Sequence, residues 1–132
     1  MKILIVDDDF VSRAKLGALL AGYGACDAAE NGTEALKLFE DAHKELTPYG
    51  LITMDIEMPD MSGQDVVNQV RKIERLLQVE ESSAAKILMV TVKKELKEVS
   101  ASYFQGCSGY LTKPTTPEGL AKALAEVGLS AR

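Results

Sequence analysis

The residues of this chain most able to do chemistry together are the run Asp7, Asp8 and Asp9, then Asp55, Thr91 and Lys113. Each stands at or just beyond the end of a short apolar run, the first being Ile3-Leu4-Ile5-Val6. Carboxylates brought to one place repel each other by about 1 kcal/mol or more per close pair. Such a cluster therefore either raises some of its own pKa values or holds a hard cation. Carboxylate, carbonyl and water oxygens suit Mg²⁺, which keeps coordination positions open for phosphate oxygens. A lysine at the same rim neutralises a second oxygen, and a threonine hydroxyl donates to a third. These are the parts of a phosphoryl-transfer site, where positioning and charge neutralisation supply most of the catalysis. An aspartate in that setting is a nucleophile that forms an aspartyl phosphate. Taken singly, each residue has an ordinary role: acids favour helix starts, and threonine is common in strands.

The elements that must position them follow from the apolar pattern. Strands are expected at residues 3–6, 26–29, 51–54, 87–92 and 110–112. Helical spacing fills the intervals: 11–21 closes on Gly22 and Gly24, and the helix after Asn31-Gly32 ends before Pro48. A third helix carries Val66, Val67, Val70, Ile73 and Leu77; a fourth spans 96–105; the last covers 117–127, with Thr116 as N-cap and Pro117 in first position. Continuous apolar strands alternating with helices imply right-handed crossovers and a doubly wound α/β sheet covered on both faces. In such sheets ligands bind beyond the carboxyl ends of the strands, which is where the candidate residues fall.

Composition narrows the function. At 132 residues with 46% hydrophobic content, the chain is expected to form one domain with no output module. Twenty acidic residues against 15 basic ones, a net charge of −5, argue against a nucleic-acid surface. No apolar stretch reaches the length of a membrane span or a secretory signal, so no membrane partner and a cytoplasmic location are expected. Cys26 and Cys107 have no zinc or disulfide spacing and read as half-buried small side chains. His43, the one histidine, reads as a solvated helix end without a chemical role.

The chain resembles the receiver domain of bacterial two-component response regulators over essentially its whole length. The resemblance rests on Ile3-Leu4-Ile5-Val6-Asp7-Asp8 and on Met54-Asp55-Ile56-Glu57-Met58-Pro59-Asp60-Met61-Ser62-Gly63. It continues in Ile87-Leu88-Met89-Val90-Thr91 and Gly109-Tyr110-Leu111-Thr112-Lys113-Pro114. It implies a flavodoxin-like five-stranded parallel sheet of order 2-1-3-4-5 with five helices, a receiver over 1–128 and a tail at 129–132. Asp55 would then accept a phosphoryl group from a histidine kinase or histidine phosphotransfer protein. Asp7, Asp8, Asp55 and the main-chain carbonyl of Glu57 would hold Mg²⁺, while Thr91 and Lys113 would bind phosphoryl oxygens. Tyr110 would be the switch aromatic that turns inward with Thr91, and the Lys113–Pro114 bond would be cis. The signal would leave through the face of the fourth helix, fifth strand and fifth helix, with Leu96, Val99, Tyr103, Tyr110 and Lys122 as candidates. The protein would be a monomer or a phosphorylation-dependent homodimer, limited to self-phosphorylation and slow autodephosphorylation.

Three features depart from the family pattern. Val92 follows Thr91 where a small residue is usual, which predicts slower dephosphorylation or a biased switch. Glu57 and Lys93 occupy the positions that tune water attack. The stretch 71–85 is long, with Leu76, Leu77 and Val79 expected to extend the third helix and residues 80–83 to form its polar end. An alternative is an aspartyl-phosphate hydrolase of the haloacid-dehalogenase type, since Asp7-Asp8-Asp9-Phe10-Val11 fits that superfamily's opening motif. In that case Asp7 would be the nucleophile, yet only Glu118 and Glu126 follow Lys113 where a late acidic pair is needed. A third possibility is a degenerate receiver serving only as a binding module, which the filled site positions disfavour.

Overall fold

Alternate side chains of the central strands point into two separate apolar layers, and this is what makes the sheet doubly covered. Leu4, Val6, Ile52, Met54, Ile87 and Met89 pack on one side with Phe39, Val66, Val67 and Val70. Ile3, Ile5, Leu51, Leu88, Val90 and Leu111 pack on the other with Leu16, Leu20, Leu120 and Leu124. The computed structural model describes residues 1–56, 58–92 and 106–130. Its strands are β1 (Lys2–Val6), β2 (Ala25–Ala29), β3 (Leu51–Asp55), β4 (Lys86–Val92) and β5 (Gly109–Lys113). All pairs are parallel and the order is β2-β1-β3-β4-β5, as the resemblance implied. Strand β2 is an edge strand and mostly exposed, so Cys26 lies in the open and is not half-buried.

The described residues hold α1 (Phe10–Leu20), α2 (Gly32–Lys44), α3 (Gly63–Leu76) and α4 (Pro117–Glu126). The helix expected over 96–105 lies outside the described residues. Each of the four begins with a side-chain cap: Asp9, Asn31, Ser62 and Thr116 accept from the N–H of Ser12, Glu34, Asp65 and Gly119. Each such cap contributes about 1 kcal/mol. His43, in the last turn of α2, is half-buried against the Phe39 ring at 4.9 Å between centroids.

Helix α3 stops at Leu76, short of the extension expected through Val79, and residues Glu81–Ser83 form a separate 3₁₀ turn. The reason is a Schellman turn: Gln78 takes φ 57°, its N–H bonds the Arg75 carbonyl, and the Val79 N–H bonds that of Glu74. The same device ends α2, with Leu46 at φ 62°, and α4, with Gly128 at φ 84°. Glycine suits this left-handed position, whereas a side chain there costs on the order of 1 kcal/mol. Leu46→Gly and Gln78→Gly are each expected to stabilise the protein by about 0.5–1 kcal/mol, read as a higher urea midpoint with an unchanged slope.

The loop after β3 is tied to the start of α2 by Asp60. Its carboxylate accepts from the N–H of Gly32 and Thr33 and from the Thr33 hydroxyl, at 2.8–3.0 Å. The Gly32 N–H first, then the Thr33 hydroxyl and N–H, lower its pKa to about 2 from the ordinary 3.8. A depressed folded pKa means that the anchor contributes stability above the unfolded value and loses it as pH falls through about 2. Wild type should therefore lose more stability than Asp60→Asn between pH ~4 and ~2, measured by urea midpoints across that range.

Candidate functional site

The carboxyl ends of β1, β3, β4 and β5 bring the sequence candidates to one edge of the sheet. Asp7 follows β1 and is 1% exposed. Its N–H bonds the Ala29 carbonyl, and its own carbonyl accepts from Arg13 Nη1 at 2.8 Å. Both of its carboxylate oxygens are engaged: Oδ1 accepts the Asp9 N–H at 2.9 Å and Oδ2 accepts Lys113 Nζ at 3.2 Å. Lys113 also lies 3.9 Å from Asp55 Oδ1. Burial pulls the pKa of this lysine down, but the Asp55 and Asp7 carboxylates outweigh it and leave it raised.

Asp7, Asp8 and Asp55 present carboxylate oxygens within 4.8 Å of one another. Beside them opens a cleft of about 460 Å³ lined by Asp8, Asp55, Met58, Pro59, Thr91, Val92 and Lys113. Asp7 sits behind it and is not part of its lining. The Thr91 side chain is nearly buried, with its hydroxyl 3.4 Å from the Val92 carbonyl. Val92 is 42% exposed and stands at the mouth of the cleft. The Lys113–Pro114 peptide is cis. Tyr110, opposite Met89 in the β4–β5 ladder, is half-buried beside the core between the sheet and α2/α3. Burial chiefly, and a hydrogen bond to the Cys107 thiol, push its pKa up to about 12. Glu57 and Lys93 lie outside the described residues.

Three further residues shape the site without lining the cleft. Asp9, in the acidic run, is the cap of α1, bound to the Ser12 hydroxyl and N–H, which lower its pKa. Arg13 fixes the backbone of Asp7 and reaches Glu30 at 4.0 Å. Gly63 lets α3 start against the end of β3; a Cβ there would collide with the Asp55 carbonyl oxygen. Ser62-Gly63 closes the motif that begins at Met54, but the motif does not show how close Gly63 lies to Asp55.

Residues 3–125 match the family model described as the response regulator receiver domain. The chain belongs to the response regulator receiver family. It is 32% identical over 128 residues to the chemotaxis protein CheY of Thermotoga maritima, covering 96% of both chains. Among solved structures it superposes on response regulator TrrA from Thermotoga maritima, crystallised with Mg²⁺ and BeF, at TM-score 0.73 and 31% identity. That match covers 96% of this chain and 97% of the other. It also superposes on the receiver of Saccharomyces cerevisiae Ssk1, co-crystallised with the histidine phosphotransfer protein Ypd1, at TM-score 0.73 and 28% identity. There 92% of this chain and 84% of the other are covered. This receiver is thus a phosphorylation-dependent signalling switch. The hydrolase alternative fails on geometry as well: Asp7, its required nucleophile, is buried with both carboxylate oxygens bonded. Among the described residues no helix is long and apolar enough to cross a membrane.

Proposed function

We propose that Asp55 accepts the phosphoryl group of a phosphohistidine carried by a histidine kinase or histidine phosphotransfer protein in the cytoplasm. One observation carries the assignment: of the three clustered acids, Asp55 alone both lines the cleft and pairs with Lys113. An Asp55 oxygen attacks phosphorus, the P–N bond breaks, and the imidazole leaves with the bonding electrons. Later a water oxygen attacks phosphorus, the P–O bond to Asp55 breaks, and inorganic phosphate departs. Lys113 pairs with one phosphoryl oxygen and Thr91 donates its hydroxyl to another, so charge is neutralised as it develops.

Three carboxylates with overlapping reach are a hard-oxygen donor set that fits Mg²⁺. Asp7, Asp8, Asp55 and the Glu57 main-chain carbonyl would hold it, and the ion would supply charge neutralisation at the phosphoryl oxygens. The Mg²⁺–BeF complex of TrrA and the Ypd1 complex of the yeast receiver support the cofactor and the donor class.

The receiver spans 1–128 in this reading, with 129–132 a tail. The output partner is a protein that meets the face expected of the fourth helix with β5 and α4, that helix lying outside the described residues, and the receiver acts as a monomer or a phosphorylation-dependent homodimer. On that face Lys122 is exposed and Tyr110 half-buried; Leu96, Val99 and Tyr103 lie outside the described residues. Val92 at the cleft mouth slows water attack, as Lys93 and Glu57 tune it, so Val92→Ala should hydrolyse its acyl phosphate faster. An unchanged rate would remove Val92 from this role. The assignment as a whole is tested with Mg²⁺ and a small phosphodonor, followed by mass spectrometry of the wild type and Asp55→Asn. Labelling at Asp55 that vanishes in the variant supports it; labelling at Asp7, or no adduct with any donor, overturns it.

A further inference from the structure

The loop between β3 and α3 is fastened at its neck and again at its tip. At the neck, the Gly63 N–H bonds the Ile56 carbonyl at 2.8 Å. At the tip, Asp60 does not line the cleft and engages both carboxylate oxygens elsewhere. Oδ1 accepts the Gly32 N–H at 3.0 Å and the Met61 N–H at 2.9 Å. Oδ2 accepts the Thr33 N–H at 3.0 Å and the Thr33 hydroxyl at 2.8 Å. Met61 adds a packing contact, since a Cβ on Gly32 would come within 2.9 Å of the Met61 Cβ. The loop tip is thus locked to the first turn of α2.

This anchor is more than α2 needs as a cap. Asn31 already caps that helix, accepting the Glu34 N–H at 2.8 Å. What Asp60 adds is a grip on the loop, through charge-assisted bonds that are stronger than neutral ones. Between Ile56 and Asp60 stand Met58 and Pro59, which line the cleft with Asp8 and Asp55. Glu57, whose main-chain carbonyl would serve Mg²⁺ in the proposed function, stands in the same span. A loop tied only at its neck can still swing. The second tie fixes where the Met58-Pro59 wall stands relative to the carboxylates.

We infer that Asp60 is a positioning residue of the phosphoryl site: its carboxylate, bound to Gly32 and Thr33, holds the loop against the acidic cluster in the geometry that binds Mg²⁺. The inference rests on the reading of Asp7, Asp8 and Asp55 as the Mg²⁺ site. Coupling of this kind is reciprocal. If freeing the tip weakens Mg²⁺ binding by some factor, bound Mg²⁺ makes the Asp60 bonds harder to open by the same factor. Groups that support metal ligands are worth roughly tenfold or more in affinity.

The test titrates the intact protein with Mg²⁺, following amide shifts by NMR, and measures amide hydrogen exchange with and without the ion. Asp60→Ala should bind Mg²⁺ roughly tenfold more weakly, and Asp60→Asn, which keeps one acceptor oxygen, should fall between it and wild type. Asn31→Ala removes a cap from the same helix end, one that bonds α2 and not the loop, and should keep wild-type affinity. In the wild-type protein, saturating Mg²⁺ should slow exchange of the Gly32 and Thr33 amides roughly tenfold and leave the Glu34 amide unchanged. That arm needs no variant. Undiminished affinity in Asp60→Ala, equal weakening in Asn31→Ala, or equal slowing at Glu34 overturns the anchor while the metal site stands. Mg²⁺ affinity unmoved by Asp8→Asn overturns the metal site, and the anchor with it.

Discussion

Gly63→Ala should cost about 2 kcal/mol of stability and at the same time weaken Mg²⁺ binding on the order of tenfold. The position needs no unusual backbone angle; what it needs is space. A Cβ there would meet the Asp55 carbonyl oxygen and come within 3.0 Å of the Ile56 Cα. Both obstacles are backbone, so no side chain can swing aside, and either α3 lifts or the end of β3 shifts. The N–H of Gly63 also bonds the Ile56 carbonyl at 2.8 Å, so lifting α3 sacrifices that bond. Any shift of β3 moves the Asp55 carboxylate, which lies 3.9 Å from Lys113. Urea unfolding and a Mg²⁺ titration read the two effects together. Gly22→Ala, where nothing stands within 4 Å of the new Cβ, is the control and should change neither. A Gly63→Ala protein with wild-type stability would show that α3 does not bear on Asp55 in this way.

Asp8→Asn is expected to move stability in opposite directions with and without the metal. Asp8 is exposed and, among the described residues, makes no hydrogen bond or ion pair, unlike Asp7. Its charge lies within reach of two other carboxylates, and the paired Lys113 serves Asp7 and Asp55. Removing that charge without Mg²⁺ relieves repulsion and should stabilise the fold by about 0.5–1 kcal/mol, less at high salt because the group is screened. With Mg²⁺ the sign reverses. A ligand at a hundred times its dissociation constant stabilises by about 2.7 kcal/mol, and the variant should need on the order of 100-fold more ion to reach it. Thermal melts with Mg²⁺ or with a chelator measure both arms. Destabilisation of the chelated variant would show that Asp8 is held by contacts and not strained by its neighbours.

Asp7 and Asp8 show how adjacent acids of one run receive different work. In the sequence they are neighbours in a row of three, and any of the three could be ligand, cap or solvated charge. The structure separates them by direction: Asp7 points into the protein and is neutralised by Lys113 and the Asp9 N–H, Asp8 faces the cleft, and Asp9 caps α1. The alternation of a strand end entering a helix makes that choice, and composition carries no trace of it. The end of α3 was missed for a related reason. Leu76 and Leu77 continue the apolar pattern, yet the helix stops because Gln78 takes a left-handed conformation and the chain must return to β4. Periodicity records what a helix would bury, not where the chain has to turn.

By itself the sequence determined the doubly wound sheet, because its apolar runs are continuous in the strands and helically spaced between them, and that order admits few topologies. It also determined which side chains reach the site edge, since Asp7, Asp8, Asp55, Thr91 and Lys113 stand at the carboxyl ends of those runs. Only the tertiary structure decided which carboxylate opens to the cleft and which glycine must stay bare beside it. Those outcomes depend on contacts between residues far apart in the chain or on the register of neighbouring strands. Local spacing encodes which way a segment folds, but distances across the sheet exist only once every strand is in place.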